Sequence, residues 1–205
     1  MSTNPTRIGV LDIQGSVAEH IQALAKIGVK AISVKTEEDL ASVEGLIIPG
    51  GESTTIGKLL KKYGLHKAIQ KRAHRGVFKS KHPLAVWGTC AGAILLAKKV
   101  ENRCPDILKL MDVTIERNAY GRQTESFETE IWAPDLGTKK IPAIFIRAPQ
   151  IKKTSSKIRV LATLGGKAVM IRQGNLLATT FHPELTADTR VHRYFVSMTQ
   201  ELCRK

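Results

Sequence analysis

The sequence predicts an α/β fold: a three-layer, mostly parallel sheet flanked by helices, with additional antiparallel strands in the C-terminal half. Three observations predict it. Short apolar runs in the first half are separated by helix-length connections, the pattern of βαβ units. After Glu101 the texture changes to closely spaced strand-like segments, several joined by glycine-containing turns. The length, 205 residues, suits one α/β domain with a full core and is short for two.

Taken in order, residues 7–11 read as a buried first strand. Segment 17–27 places Ile21, Leu24 and Ile27 at a helical period, and Gly28 stops it. Residues 31–34 and 45–48 read as the second and third strands, and 84–87 as the fourth. Between them Lys58/Lys62 and Lys67/Lys71/Arg75 recur at i, i+4, interleaved with Leu59, Leu60, Leu65, Ile69, Val77 and Phe78. That is amphipathic helix with one solvated basic face. The apolar run 93–97 reads as helix. Segments 110–116, 124–131, 143–146, 159–164, 168–172 and 176–181 read as strands. Segment 189–202 closes the chain as an amphipathic helix packing Val191, Tyr194, Phe195, Met198 and Leu202. No repeat, low-complexity tract or linker interrupts the chain, so 1–205 is expected to form one domain.

Composition narrows the function. Lys and Arg total 32 against 18 Asp and Glu, a formal net charge of +14. No acidic residue lies between Glu52 and Glu101. A basic chain invites a nucleic-acid reading, but aromatics are only 5% and no nucleic-acid-binding motif is present. An acidic protein partner ranks ahead of nucleic acid, and a plain solvated face ahead of both. No apolar run approaches a membrane span, and Met1-Ser2-Thr3-Asn4-Pro5 begins no signal peptide. The three cysteines, Cys90, Cys104 and Cys203, show no Cys-x-x-Cys and no zinc spacing. A cytoplasmic chain with reduced thiols, no membrane contact and no metal is expected.

The chemistry concentrates in three places. Gly88-Thr89-Cys90-Ala91-Gly92 lies between the strand 84–87 and the helical run 93–97, the cysteine form of a nucleophile elbow. Glycines flank the thiol because so sharp a turn leaves no room for side chains, and the following helix N-terminus favours a thiolate. The alternative is that Cys90 is a small buried core residue. Phe181-His182-Pro183-Glu184 follows a strand. If the backbone stays extended through Pro183, His182 and Glu184 project to one side, and the carboxylate holds an imidazole N–H. Alone, such a pair is most often structural. Pro49-Gly50-Gly51-Glu52-Ser53 ends the third strand and leaves backbone N–H groups open to a ligand. The N–H of Gly51 with that of Ala91 would bind an oxyanion. Phosphate cradling and a plain turn compete, although the P-loop spacing and its Lys-Ser/Thr are absent.

Cysteine elbow, His-x-Glu near the C-terminus and an upstream Gly-Gly loop together resemble a class I, triad-type glutamine amidotransferase. More narrowly, the chain resembles the glutaminase subunits of pyridoxal 5′-phosphate synthases, over nearly its whole length. The segments carrying this likeness include Gln14-Gly15, Glu19-His20, Glu52-Ser53-Thr54, Leu110-Met111-Asp112 and Glu116-Arg117-Asn118. Gly121-Arg122-Gln123, Glu125-Ser126-Phe127-Glu128, Ile146-Arg147-Ala148-Pro149 and Glu184-Leu185-Thr186 complete it. The resemblance implies that Cys90 is the nucleophile, His182 the base and Glu184 its orienter. It places Gly51, Glu52, Ser53, Arg117, Ile146 and Arg147 around a bound L-glutamine. It implies glutamine hydrolysis through a γ-glutamyl thioester, with ammonia passed to a separate synthase subunit in a hetero-oligomeric complex. Docking near Gln14-Gly15 would activate the enzyme, and pyridoxal phosphate would be the partner's product, so the resemblance implies no cofactor for this chain. A glutaminase serving another synthase, such as that of imidazole glycerol phosphate, and a non-catalytic regulatory relative are the alternatives. Ala93, Trp87, the basic stretch from Lys58 to Lys81, and Cys104-Pro105 depart from the usual pattern without touching the triad.

Overall fold

A computed structural model describes residues 6–74, 83–102, 106–117 and 126–204, and every element and contact belongs to these residues. The architecture is the expected one. Strands β1 (Ile8–Leu11), β2 (Ala31–Val34), β3 (Gly45–Ile48) and β4 (Ala85–Thr89) pair in parallel. β5 (Ala97–Glu101), β6 (Met111–Glu116), β7 (Ser126–Ile131), β8 (Ile141–Ile146) and β9 (Gln150–Thr154) form two smaller sheets, β5-β6-β9 and β7-β8. β10 (Arg159–Leu164), β11 (Lys167–Gln173) and β12 (Leu176–Thr179) return to the main sheet, where β12 runs parallel to β4 and β10-β11-β12 are antiparallel. The seven-stranded order is β10-β11-β12-β4-β3-β1-β2.

Strand alternation divides the core into two layers. Leu11, Leu46, Ile48 and Val86 point to one face, covered by α2 (Glu37–Ala41), α3 (Ser53–Lys62), α4 (Leu65–Ala73) and α5 (Ala91–Leu96). Ile8, Val10, Ile47, Ala85 and Trp87 point to the other, covered by α1 (Val17–Ala25) and α6 (Arg190–Cys203). Each fully buried aliphatic side chain contributes about 1.5–3 kcal/mol of transfer free energy, so both layers are needed to hold the sheet.

Several boundaries differ from expectation, each for a physical reason. The basic amphipathic stretch is two helices, because Gly64 turns the chain with a φ of 76° between α3 and α4. Its arithmetic holds where it is described: Leu60, Leu65 and Ile69 are buried and Lys58, Lys62, Lys67 and Lys71 exposed. Arg75, Val77, Phe78, Lys79, Lys81 and Cys104 lie outside the described residues. The run 93–97 is helical only to Leu96, and Ala97 starts β5. Strands β5 and β9 and the short helix α2 are additions. No helix among the described residues is long and apolar enough to cross a membrane.

Candidate active site

Cys90 stands between β4 and α5, with φ 46° and ψ −100°. A side chain at positive φ is strained, and such strain persists only where surrounding structure enforces it. Here the enforcement is backbone on backbone. A Cβ on Gly88 would lie 2.3 Å from the Gly92 carbonyl carbon, and one on Gly92 would lie 2.1 Å from the Ile48 carbonyl oxygen. The two glycines therefore let α5 sit directly on β4 and β3. The Cys90 N–H donates to Thr179 O at 2.8 Å, which carries the β4–β12 pairing one residue past the strand to Cys90. Sγ lies 3.8 Å from the Ile146 carbonyl oxygen. Ala91 is the first residue of α5, where a helix leaves its N–H without an intrahelical acceptor.

His182 follows β12 and is tied to β8 by its N–H, which donates to Ile144 O at 2.8 Å. The backbone beyond it is not extended. Pro183–Leu185 forms a 3₁₀ turn, with Pro183 opening it as its fixed φ favours. The expected pairing nevertheless forms: His182 Nδ1 and Glu184 Oε1 are 2.7 Å apart, with both residues buried. Burial works against charge on His182, but hydrogen bonds to Cys90 and Glu184 and their negative charge outweigh it. The imidazole is pushed up to about 10. His182 thus stands between Cys90 and Glu184 and is hydrogen-bonded to the carboxylate.

The Gly50-Gly51 loop is wedged between two partners. A Cβ on Gly50 would lie 2.4 Å from His182 Cε1, and one on Gly51 would lie 2.5 Å from Gln14 Oε1. Ser16 N–H donates to Gly50 O at 3.0 Å, and Glu52 N–H to Gln14 Oε1 at 2.9 Å. The segment before α1 therefore supports this loop. Glu52 caps α3: its carboxylate accepts from Thr54 N at 3.0 Å, Thr55 N at 2.6 Å and Thr55 Oγ1 at 2.7 Å. Partial burial opposes its charge, yet these donors hold its carboxyl down to about 2. Arg117 Nη2 pairs with Glu52 Oε1 at 3.3 Å and Nη1 reaches Thr54 Oγ1 at 3.4 Å. Ser53 is buried at the start of α3. Ile146 ends β8, and Arg147, exposed, follows it with φ 44°. Asn118, Gly121-Arg122-Gln123 and Glu125 lie outside the described residues.

The sequence reading missed what stands behind Glu184. His20 of α1 and His192 of α6 are fully buried and 3.0 Å apart, beneath Thr89 and Trp87. Glu19-His20 contributed to the resemblance, but nothing in the sequence joins it to His192.

Residues 10–201 match the SNO glutamine amidotransferase family. Pyridoxal 5′-phosphate synthase subunit PdxT of Thermotoga petrophila is 50% identical over 192 residues, covering 94% of this chain and 98% of that protein. The subunit of the same name from Carboxydothermus hydrogenoformans is 45% identical over 198 residues, covering 97% and 98%. A crystal structure described as a glutamine amidotransferase superposes with a TM-score of 0.87 at 44% identity, over 94% of this chain and 98% of that one. By family match, by identity over 94% of its length and by fold, the chain belongs to the SNO glutamine amidotransferase family.

Proposed function

We propose that the chain hydrolyses L-glutamine to L-glutamate and ammonia through Cys90, His182 and Glu184, and hands the ammonia to a synthase subunit. It is the glutaminase subunit of a pyridoxal 5′-phosphate synthase, a reading supported by relatives named as subunits of that synthase and by the glutamine amidotransferase family match. The observation that carries the residue assignment is the line Cys90–His182–Glu184, with its 2.7 Å Nδ1–Oε1 contact and a thiol held at positive φ.

The Cys90 thiolate attacks the side-chain amide carbon of glutamine, and the carbonyl oxygen takes the negative charge. The N–H groups of Gly51 and Ala91 receive it. His182, protonated at neutral pH because its two neighbours raise it to about 10, gives its proton to the departing nitrogen. The C–N bond breaks, ammonia leaves and a γ-glutamyl thioester remains. His182, now neutral, takes a proton from water; the hydroxide adds to the thioester, the C–S bond breaks, and glutamate and thiolate are released. Glu184 fixes the Nδ1–H tautomer so that Nε2 does this work. The Ile146 carbonyl, near the sulfur, accepts from the amide nitrogen. Glu52, Ser53, Arg117 and Arg147 surround the amino-acid end, where guanidinium groups suit a carboxylate.

Glutamate release from glutamine, measured with and without the synthase subunit, tests the reading. Hydrolysis that rises with the synthase and vanishes in Cys90→Ala is expected; unchanged hydrolysis in that variant overturns it. Activity with another synthase only would favour the alternative partner.

A further inference from the structure

Glu184 has two carboxylate oxygens, and the mechanism uses one. Oε1 takes the His182 N–H; Oε2 is buried and lacks a hydrogen-bond partner among the described residues. A buried carboxylate oxygen left unpaired is costly, and a free terminal torsion would let the two oxygens exchange. His20 Nε2 faces Oε2 at 3.6 Å, just beyond hydrogen-bond distance. The same nitrogen is 3.3 Å from Thr89 Oγ1, on the residue preceding the nucleophile. The other ring nitrogen of His20 is 3.0 Å from His192 Nε2. Trp87 packs edge-on against both rings, at centroid distances of 5.4 Å from His20 and 4.9 Å from His192.

We infer that His20 and His192 form a neutral imidazole relay that donates to the second oxygen of Glu184, making His20 a positioning residue for the triad. The inference rests on the proposed roles of Cys90, His182 and Glu184. Proton bookkeeping selects one arrangement. With His192 protonated at Nε2 it donates to His20 Nδ1, which leaves His20 Nε2–H to face Glu184 and Thr89. In the reverse arrangement His20 would present a lone pair to the carboxylate, and His192 would carry a buried Nδ1–H without an acceptor. Neutrality follows from the surroundings. Burial, then the neighbouring His192 and His182, hold His20 well below the usual histidine range, and burial holds His192 at about 4. Among the described residues no cluster of His, Cys, Asp or Glu suits a metal ion, so the pair is not read as a metal site. At 3.6 Å the contact is longer than a formed hydrogen bond, as catalytic contacts commonly are before substrate binds. His20 thus stops the carboxylate from turning, as outer partners do for ligating side chains.

Histidine side-chain ¹⁵N NMR of the full chain tests the tautomers without turnover. His20 and His192 both neutral and protonated at Nε2 is the expected result; His20 charged, or protonated at Nδ1, overturns the inference. Kinetics of glutamine hydrolysis with the synthase subunit present test the role. His20→Leu is expected to lower kcat about tenfold with KM within about twofold, the scale of losing one hydrogen bond to a charged group. His20→Gln, whose amide restores a donor at the Nε2 position, is expected to recover most of that loss. A folded His20→Leu chain with parental kcat, or a His20→Gln chain no better than His20→Leu, overturns it; if His20→Leu does not fold, the NMR result on the parent decides. Full activity in Cys90→Ala would instead remove the triad reading and leave the tautomer result standing.

Discussion

The two walls of the site are built by opposite means. The wall carrying Cys90 and His182 is backbone against backbone and ring against backbone, with glycines at Gly50, Gly88 and Gly92 where any Cβ would collide. The wall carrying Glu52 and Arg117 is charged side chains at a helix end and a strand end, partly exposed and joined by an ion pair of 3.3 Å. One wall leaves no room for a side chain at its glycines, which suits the roles proposed for the Cys90 thiol and the His182 base. The other is held by contacts that a zwitterionic substrate can exchange for its own.

That contrast has measurable edges. The largest effect belongs to the reacting line itself: His182→Ala is expected to cost roughly 10⁴-fold or more in kcat, and Glu184→Gln less, because it disturbs the orienter and leaves the base. Steady-state glutamate release gives both numbers, and the reverse order would remove that division of roles. Next comes the packing that holds the line. Gly92→Ala puts a methyl 2.1 Å from the Ile48 carbonyl, which is main chain and cannot swing aside. A destabilisation of about 3 kcal/mol is expected in urea unfolding; a loss under about 0.5 kcal/mol would show that this wall is not rigid.

A pH titration separates the walls. His192 is held at about 4 against an ordinary value of 6.5, so the unfolded chain takes the proton first. Stability is therefore expected to fall as pH drops from about 6.5 toward 4; His20, also held low, adds to that limb, so His192→Gln should make it shallower in thermal melts without abolishing it. His182 has the opposite sign: held at about 10, it contributes fully below about 6.5 and progressively less as pH rises through 10. Glu52, held at about 2, stays charged throughout this range, so the rim takes no part in the acid limb above pH 4.5. The smallest effect is at the rim. Arg117→Met is expected to raise KM for glutamine severalfold while moving stability by under about 0.5 kcal/mol. A loss of kcat with KM unchanged would assign Arg117 to the reacting wall.

These walls were not equally legible. Strands buried on both faces, such as residues 8–11 and 45–48, announce themselves as apolar runs, and the elbow announces itself by its glycines. β5 and β9 do not: Lys98, Lys99, Lys152 and Lys153 are exposed, and Ile151 is the one buried residue of β9, so both strands exist because β6 pairs with them. Helix α2 had a readable signal in its capping box, Thr36 with Asp39. The His182–Glu184 contact is expected from an extended backbone and arises instead from a 3₁₀ turn; both bring i and i+2 together. His20 and His192 are 172 residues apart, and only the packing of α1 and α6 on one face of the sheet makes them a pair.

The strand order has a consequence for how the chain is born. β4 carries Cys90, the proposed nucleophile, between β3, already made, and β12, still to come. Trp87 of β4 and its partner Thr179 of β12 are 92 residues apart, which at ribosomal speeds of about 5–20 residues per second is roughly 5–20 s of synthesis. During that interval an apolar strand ending in a thiol has an open edge, a template for pairing with other chains. A polypeptide released before residue 176 would carry Cys90 without its proposed base on a surface inclined to stick, so complete translation is a condition of safe folding as well as of the proposed activity.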